Sequence, residues 1–597
     1  MESVPGRPQY CDIVMKGGIT SGVVYPLAAV ELAEKHGYSF RNVGGTSAGA
    51  IAAAAVAAAE FGRRSGSNRD AYKRIEALPK ELGTTLTSLF QPSTRMRPLF
   101  KTLLAGLGGG VPRKLIAPLR GFWLEALAGA IPGAGLIAMA LLLDGQLGLR
   151  IAVGVAGGIA LLVGPYLALG ASALIRLRRL PDHYFGICPG VDRGGGAKTP
   201  PLTRWLAELI DELAGKQEGP PLTFGDLWDL EPGGKGGTGE RGIDLQMMTT
   251  NLSQGRPYSL PFQGGEELWF DEDELLDLFP RLIVEHMVTH SGERIDAPGG
   301  KTLRRLPEAR QMPVVLAARM SLSFPLLISA VPLYARNDAP KVPGPAPERC
   351  WFSDGGITSN FPVHFFDSPI PRWPTFAIDL MPLAPDRQLE DDESENVWMP
   401  ADNFEGIEEA WVGWEGKANR KQIFAFAGSI FRTAQNWIDN RQMRGAGYRD
   451  RIAHVRLAKE EGGMNLKMKT EDIERLAERG AAAASILAKR FAPNPPPEIE
   501  LNWDNQRWIR YRAYMSLLER RGLEARRGFH DASLGTSLPD LSADPPSFPW
   551  QGQAQGNLTL PATWALVTMF WAWDAFGVGF SDGAPQPPTE PWSIPRV

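Results

Sequence analysis

The sequence predicts an α/β fold, because strand-like and helix-like segments alternate from the start of the chain. Residues 11–15 read as a strand, followed by a glycine-rich turn and an apolar-periodic helix over 23–36. Residues 39–43 read as a second strand, followed by a sharp turn and an Ala-rich helix over 50–59. Strands that alternate with helices in this way are typical of a mainly parallel sheet with helices packed against it.

The second turn has the sequence Gly45-Thr46-Ser47-Ala48-Gly49. A serine at the apex of a strand–turn–helix junction presents its hydroxyl at the positive end of a helix, and the flanking glycines allow the cramped backbone. This is the geometry of a nucleophilic serine. A glycine-rich turn with a buried or capping serine is the alternative that these five residues leave open.

The first turn, residues 16–22, presents bare backbone amides between a strand and a helix. Such amides can bind phosphate or stabilise an oxyanion. The turn lacks the GxGxxG and GxxxxGK[ST] spacings, which argues against a nucleotide. Far downstream, Asp354 ends an apolar stretch before Gly355-Gly356. An ordinary Asp-Gly turn would look the same.

Taken together, the three segments resemble the patatin-like phospholipase family, which carries a glycine-rich oxyanion loop, a GxSxG serine and a DGG or DGA aspartate in this chain order. Residues 221–227, 248–257 and 317–325 resemble its linking segments. The resemblance covers residues 9 to about 385, apart from one long insertion. It implies a three-layer α/β/α sandwich with a mainly parallel sheet.

The resemblance also implies a catalytic Ser47–Asp354 dyad without histidine, acting on (phospho)lipid esters with no cofactor and no metal. We expect the amides of Gly17, Gly18 and Ile19 to form the oxyanion hole. The loop departs from the family pattern, because Lys16 stands where the first glycine is expected and the loop is one residue longer.

The histidines offer no better base. His364 lies nearest the aspartate motif and is interpreted as a structural residue. His286 and His290 lie one helical turn apart but do not form the HExxH zinc motif.

Composition limits the class of partner and compartment. The 597 residues carry a net charge of −4 with 22% charged residues, so no basic excess points to nucleic acid. The three scattered cysteines form no disulfide framework and fit a reducing compartment. Residues 1–10 contain no apolar run, which argues against a secretory signal peptide.

The insertion contains two uncharged stretches, 126–143 and 151–175. Each is long enough to cross a bilayer core of ~30 Å, and both outer flanks are basic, which places both ends in the cytoplasm. The pairs Gly129/Gly133 and Gly154/Gly158 have the GxxxG spacing of close helix contacts. We therefore expect residues 126–175 to associate with membrane lipids as a two-helix hairpin of a bacterial inner-membrane protein. A hairpin lying in the interface or packed within the protein is the alternative.

The expected organisation has five parts. They are a first catalytic segment (9–120), the hydrophobic hairpin (121–180), a second catalytic segment (181–385), a mainly helical C-terminal region (386–580) and a disordered tail (581–597). The favoured function is a cytoplasm-facing lipid acyl hydrolase. The alternatives are an inactive membrane-embedded scaffold with the same fold and a soluble esterase or peptidase whose hairpin is a lid.

Overall fold

A mixed sheet of twelve strands forms the centre of the fold. The computed structural model describes residues 9–106, 118–143, 145, 147–192, 199–230, 241–263, 265–297, 300–336, 346–384, 387–406, 419–458, 460–463, 465–530, 535, 538–543, 545–550, 552–577 and 579–585. The strands in this part of the chain are β1 (Gln9–Met15), β2 (Tyr38–Gly45), β3 (Gly186–Cys188), β4 (Asp244–Asn251), β5 (Arg256–Leu260), β6 (Leu268–Asp271), β7 (Arg294–Ala297), β8 (Lys301–Arg305), β9 (Leu326–Ile328), β10 (Val331–Ala335), β11 (Glu348–Asp354), β12 (Thr375–Pro382), β13 (Val397–Trp398) and β14 (Ile452–Leu457).

The helices lie mostly between these strands and after them. They are α1 (Tyr25–Val30), α2 (Ala48–Ser65), α3 (Ala71–Leu89), α4 (Arg97–Gly106), α5 (Trp123–Leu142), α6 (Leu147–Arg178), α7 (Leu202–Ala214), α8 (Phe224–Trp228), α9 (Glu272–Leu276), α10 (Arg281–Thr289), α11 (Val314–Ser321), α12 (Asn419–Met443), α13 (Thr470–Arg490), α14 (Trp503–His530), α15 (Leu538–Ala543) and α16 (Gln553–Ala575). Short 3₁₀ turns occupy Ser21–Val24, Thr94–Met96, Pro181–His183, Ala309–Gln311, Gly355–Ile357 and Arg449–Arg451, and Glu31–Lys35 forms a π turn.

The sheet has a parallel centre and an antiparallel wing. Its strand order is β13-β14-β12-β1-β2-β4-β11-β10-β6-β8-β7, with β5 paired to β4. The strands from β14 to β4 run parallel to one another, whereas β11, β10, β6, β8 and β7 each run antiparallel to their neighbours. The α/β fold expected from the sequence is confirmed. The wing is antiparallel because hairpins can join its strands, whereas parallel strands need long crossovers.

The two faces of the central strands enter different layers. Ile13 and Met15 of β1 pack into the large core that includes α1 and α2, whereas Val14 packs with Phe361 and Tyr448 on the opposite face. This alternation follows from the two-residue period of a strand. Helices and loops therefore cover both faces, which gives the three-layer sandwich.

Strand register brings the predicted site segments together. Met15 lies opposite Gly45 at the ends of the parallel strands β1 and β2, so the two following loops leave the same edge of the sheet. Gly45 lies opposite Met247 of β4, and Asp354 lies opposite Thr249 of the same strand. Asp354 is thus one strand away from the turn that carries Ser47.

The inserted helices α5 and α6 pack against each other as a hairpin. Their most apolar windows have mean hydropathy of 1.7 and 2.0, and only 11% and 6% of those windows are buried. A Cβ added at Gly129 would lie 2.4 Å from the Gly164 oxygen, and one at Gly133 would lie 2.3 Å from the Leu161 nitrogen. Both glycines predicted in α5 therefore lie at the contact.

The glycines predicted in α6 were the wrong ones. A Cβ at Gly158 would meet nothing within 4 Å, and one at Gly154 would only touch the Ala140 side chain at 3.7 Å. Gly157 and Gly164 lie at the contact instead, seven residues apart. Two helical turns separate them, so they share a face that the GxxxG spacing does not identify.

The sheet continues past the boundary at residue 385 expected from the sequence. Strand β14 pairs with β12 in parallel, with Asp379 opposite His454, and β13 adds an antiparallel edge. The region after residue 385 therefore supplies part of the central sheet besides its helices. Of the predicted tail, residues 586–597 lie outside the described residues.

Candidate active site

Ser47 lies at a strained turn between β2 and α2. Its φ of 54° and ψ of −127° place a non-glycine residue in a sparsely populated region of backbone conformation. The turn requires its glycines, because a Cβ at Gly45 would lie 2.3 Å from the Gly49 oxygen and one at Gly49 would lie 2.4 Å from the Met15 oxygen. The Ser47 amide donates to Ser321 Oγ at 3.1 Å. The geometry is compatible with the predicted role of Ser47 as nucleophile.

Asp354 ends β11 beside this turn, and only 3% of its surface is exposed. Its Oδ1 accepts from the Gly356 amide at 2.7 Å. Burial raises the pKa of Asp354 to about 7, while hydrogen bonding by the Ser47 hydroxyl and the Gly356 amide acts in the opposite direction. Oδ2 has no close, well-aligned hydrogen-bond partner among the described residues.

The glycine loop contacts the segment that follows Asp354. The Gly17 amide donates to the Asn360 backbone oxygen at 2.8 Å, and Asn360 Nδ2 donates to the Gly17 oxygen at 3.3 Å. The same Asn360 oxygen accepts from Thr46 Oγ1 at 3.0 Å. Asn360 therefore joins the glycine loop to the residue before Ser47.

The Gly17 contact alters the predicted oxyanion hole. All three predicted amides would have to be free to bind an oxyanion, but the Gly17 amide is engaged. The amides of Gly18 and Ile19 have no acceptor among the described residues. In this conformation, only these two of the predicted donors are available.

Lys16, the residue that departs from the family pattern, is fixed by an ion pair with the buried Asp379. Its Nζ lies 2.6 Å from Asp379 Oδ1 and also donates to the Leu380 oxygen at 3.1 Å. Asp379 Oδ2 contacts His454 Nδ1 at 2.8 Å. Burial alone would raise the pKa of Asp379, but the Lys16 ammonium and the His454 contact hold it well below its usual range. Lys16 thus anchors the start of the loop and does not point a charge at Ser47.

A deep apolar pocket begins beside the nucleophile turn. Ala48 and Ile19 line it at the site, and it continues along the small side chains Ala52 and Ala55 of α2. Helices α3 and α7 contribute further wall residues, which are Ile75, Leu78, Leu82, Leu86, Leu89, Trp205 and Leu209. The sequence showed an Ala-rich helix but not that its small side chains line a cavity.

His286, His290 and His364 lie outside this arrangement. His286 Nε2 lies 2.9 Å from the Gln311 oxygen, and His290 Nδ1 lies 2.9 Å from the His286 oxygen. Burial lowers the pKa of His364, whose imidazole stacks edge-on against Phe365. The described residues contain no group of three or more His, Cys, Asp or Glu side chains placed to hold a metal ion.

A buried arginine that the sequence did not single out supports the aspartate strand. Arg319 is fully buried and donates to Ser323 Oγ at 2.6 Å and to the Ser329 oxygen at 2.9 Å. The backbone oxygen of Ser323 accepts from the Asp354 amide at 3.0 Å. Burial lowers the pKa of Arg319 to about 9.

The sequence matches a known protein family. A family model described as patatin-like phospholipase matches residues 13–118 and 197–367. The chain belongs to the patatin-like phospholipase family. The match contains Ser47 and Asp354, and its gap contains the hairpin, so the hairpin is an insertion relative to the family model.

Two individual proteins are similar to this patatin-like protein along most of its length. The RpoH suppressor of Rhizobium meliloti (strain 1021) is 35% identical over 646 residues, covering 97% of this chain and 98% of that protein. The crystal structure of VipD from Legionella pneumophila shares 14% identity with a TM-score of 0.31, covering 98% of this chain and 88% of that one. Family membership assigns the protein to the lipid hydrolases.

Proposed function

We propose that this protein is a serine acyl hydrolase that cleaves (phospho)lipid esters at a membrane, with Ser47 as nucleophile and Asp354 as general base. The observation that carries the proposal is the strained Ser47 turn beside a buried carboxyl group whose pKa is raised to about 7. A base with that pKa can both accept and return a proton near neutral pH.

The reaction needs only groups of this chain and water. Ser47 Oγ attacks the ester carbonyl carbon as its proton passes to Asp354, and the Gly18 and Ile19 amides stabilise the oxyanion. The tetrahedral intermediate collapses when the C–O bond to the alcohol breaks and Asp354 protonates the leaving oxygen. Water then attacks the acyl-Ser47 ester, Asp354 takes its proton, and release of the fatty acid returns that proton to Ser47.

The apolar pocket supports a lipid acyl substrate. Its wall is almost entirely aliphatic or aromatic, and it starts at Ala48, the residue after the nucleophile. A chain bound there would bury its methylene groups at about 0.8 kcal/mol each. A short polar ester or a peptide would gain much less from this wall.

The hairpin supports action at a membrane. A soluble core helix with the same hydropathy would be mostly buried, whereas α5 and α6 expose most of their apolar surface. Arg176 and Arg178 lie in the last turn of α6 and Arg179 follows the helix, and the positive-inside rule favours the cytoplasm for this end. Ser47 precedes the hairpin and Asp354 follows it, so two crossings keep both on the same side.

The lid alternative has less support. None of the described residues of α5 or α6 lines the apolar pocket beside Ser47. A lid would cover that pocket with its apolar face, whereas the contacts of α5 and α6 described above join the two helices to each other.

Two measurements test the proposal. A fluorophosphonate probe should label the wild-type chain and fail to label Ser47→Ala, which an inactive scaffold would not show. Liposomes incubated with the protein should release free fatty acid, detected by mass spectrometry. An intact liposome pool together with an unlabelled wild-type chain would reject the hydrolase proposal.

A further inference from the structure

Helix α12 lies beyond the residues matched by the family model and contacts the candidate active site through two polar side chains. Gln435 Nε2 donates to the backbone oxygen of Gly356. The amide of the same glycine donates to Asp354 Oδ1. Asp439 contacts residues 359–361, which follow shortly after Gly356. Neither residue stood out in the sequence, because both lie on a helix with no recognisable motif.

Asp439 is a buried carboxylate that binds one loop with both oxygens. Its Oδ1 accepts from Ser359 Oγ at 2.8 Å. Its Oδ2 accepts from the backbone amides of Asn360 at 2.7 Å and Phe361 at 2.9 Å. Only 2% of the Asp439 surface is exposed, so water does not replace these contacts. The carboxylate therefore determines where the backbone at Asn360 lies.

Asn360 passes this constraint to the catalytic loops. Its backbone oxygen accepts from the Gly17 amide and from the Thr46 hydroxyl. Gly17 directly precedes Gly18, whose amide is free, and Thr46 directly precedes Ser47. A shift of the Asn360 backbone would therefore move both the oxyanion donors and the nucleophile. Displacements of about 1 Å at such groups can cost about 100-fold in rate.

We infer that Asp439 is a positioning residue for lipid ester hydrolysis. Through Asn360, it fixes the position of the oxyanion loop relative to the Ser47 turn. The inference rests on the proposed function of Ser47. It means that α12, which lies outside the residues matched by the family model, is required for a competent active site, and that displacement of this helix would switch the site off without touching the dyad.

Three variants separate positioning from general stability. Asp439→Ala removes both acceptor oxygens, and with them all three hydrogen bonds, and should lower kcat by about 10- to 100-fold with a nearly unchanged KM. Asp439→Asn should recover most of the activity, because an amide oxygen can accept from both backbone amides while its NH₂ donates to Ser359 Oγ. Gln435→Leu should give a smaller loss and serves as the test if Asp439→Ala does not fold.

The chain offers a matched control in Glu519 of α14. This buried carboxylate also accepts from two backbone amides and one hydroxyl. The donors are the Phe580 amide at 3.1 Å, the Ser581 amide at 2.9 Å and the Ser581 hydroxyl at 2.6 Å. None of these residues lines the pocket or contacts the catalytic loops. Glu519→Ala should therefore lower the melting temperature as Asp439→Ala does and leave kcat within about twofold.

The experiment measures the rate of fluorophosphonate labelling and of fatty acid release for the full-length chain and these variants, with circular dichroism as the folding check. The expected result is slow labelling of folded Asp439→Ala, rescue by Asp439→Asn and normal labelling of Glu519→Ala. Equal labelling rates in the wild type, Asp439→Ala and Gln435→Leu would overturn the inference while the proposed function stands. A wild type that is not labelled would instead remove the proposed function.

Discussion

Gly17 and Asn360 exchange two backbone-directed hydrogen bonds, at 2.8 Å from the Gly17 amide and at 3.3 Å from the Asn360 side chain. They join the glycine loop after β1 to the segment after β11, which are more than three hundred residues apart in the chain. The pair also closes the space between the loops. A Cβ at Gly17 would lie 2.2 Å from Asn360 Oδ1 and 3.1 Å from the Ser47 Cβ.

Gly17→Ala should therefore lower activity at least about 100-fold, since the added methyl group forces the loop away from Ser47. The measurement is the rate of fatty acid release from liposomes. Gly528→Ala in α14 is the control, because a Cβ there meets nothing within 4 Å. Full activity in Gly17→Ala would show that the loop does not hold the reacting groups.

Ser47→Ala should reduce hydrolysis by about a thousandfold or more, because no other hydroxyl can occupy the strained turn. The alanine keeps the Cβ and therefore the backbone strain. Ser47→Gly should be equally inactive but more stable than Ser47→Ala by about 1 kcal/mol, because glycine adopts a positive φ without steric cost. Activity assays and denaturant titrations check the two effects separately. A Ser47→Ala variant with a tenth of wild-type activity would exclude Ser47 as nucleophile.

The sequence predicted the parts of the site that depend on local backbone chemistry. Gly45-Thr46-Ser47-Ala48-Gly49 and Asp354-Gly355 are turns whose geometry follows from their own residues, and the strands before them fix their place in the sheet. The engagement of the Gly17 amide and the contacts of Asp439 were not predictable, because both depend on where Asn360 lies in three dimensions. The prediction of which α6 glycines contact α5 was wrong for a similar reason, since the rotation of a helix about its axis depends on the partner it packs against.

Asp354→Asn should abolish turnover while leaving the fold intact, because asparagine cannot accept the Ser47 proton. In the wild type, protonation of Asp354 has the same effect. Since its pKa is raised to about 7, kcat/KM should rise about tenfold per pH unit below pH 7 and level off above it. The pH dependence of fatty acid release from pH 5 to 9 tests this. A flat profile across that range would contradict Asp354 as the base.

The same pKa shift predicts a change in stability. Burial raises the pKa of Asp354 from 3.8 in the unfolded chain to about 7 in the fold, so the uncharged form favours folding. That contribution is fully present below pH 3.8 and is lost as the pH rises through 7. Asp354→Asn never ionises, so its melting temperature should exceed that of the wild type by more at pH 8 than at pH 5. A larger difference at pH 5 would contradict the assigned direction of the shift.

Hydrolysis should persist in excess EDTA, because the proposed dyad chemistry uses a carboxylate and backbone amides in place of a Lewis acid. Rates of fatty acid release before and after dialysis against chelator provide the measurement. The control is the same assay with added calcium or zinc, which should change the rate by less than about twofold. Loss of activity in EDTA with recovery in one of these ions would point to a different mechanism.

The turn of the hairpin should reach the far side of the membrane, while the catalytic domain stays in the cytoplasm. Helix α5 has 20 residues and α6 has 32, which correspond to about 30 and 48 Å, so both can cross a ~30 Å hydrocarbon core.

Gly148→Cys near the turn tests this topology, since a Cβ there meets nothing within 4 Å and the natural cysteines are buried. An impermeant maleimide should label it in spheroplasts with intact inner membranes. Thr289→Cys, exposed on the catalytic domain, should be labelled only after lysis. Labelling of both positions only after lysis, with release of the protein by carbonate, would reject the spanning hairpin and favour a soluble lid.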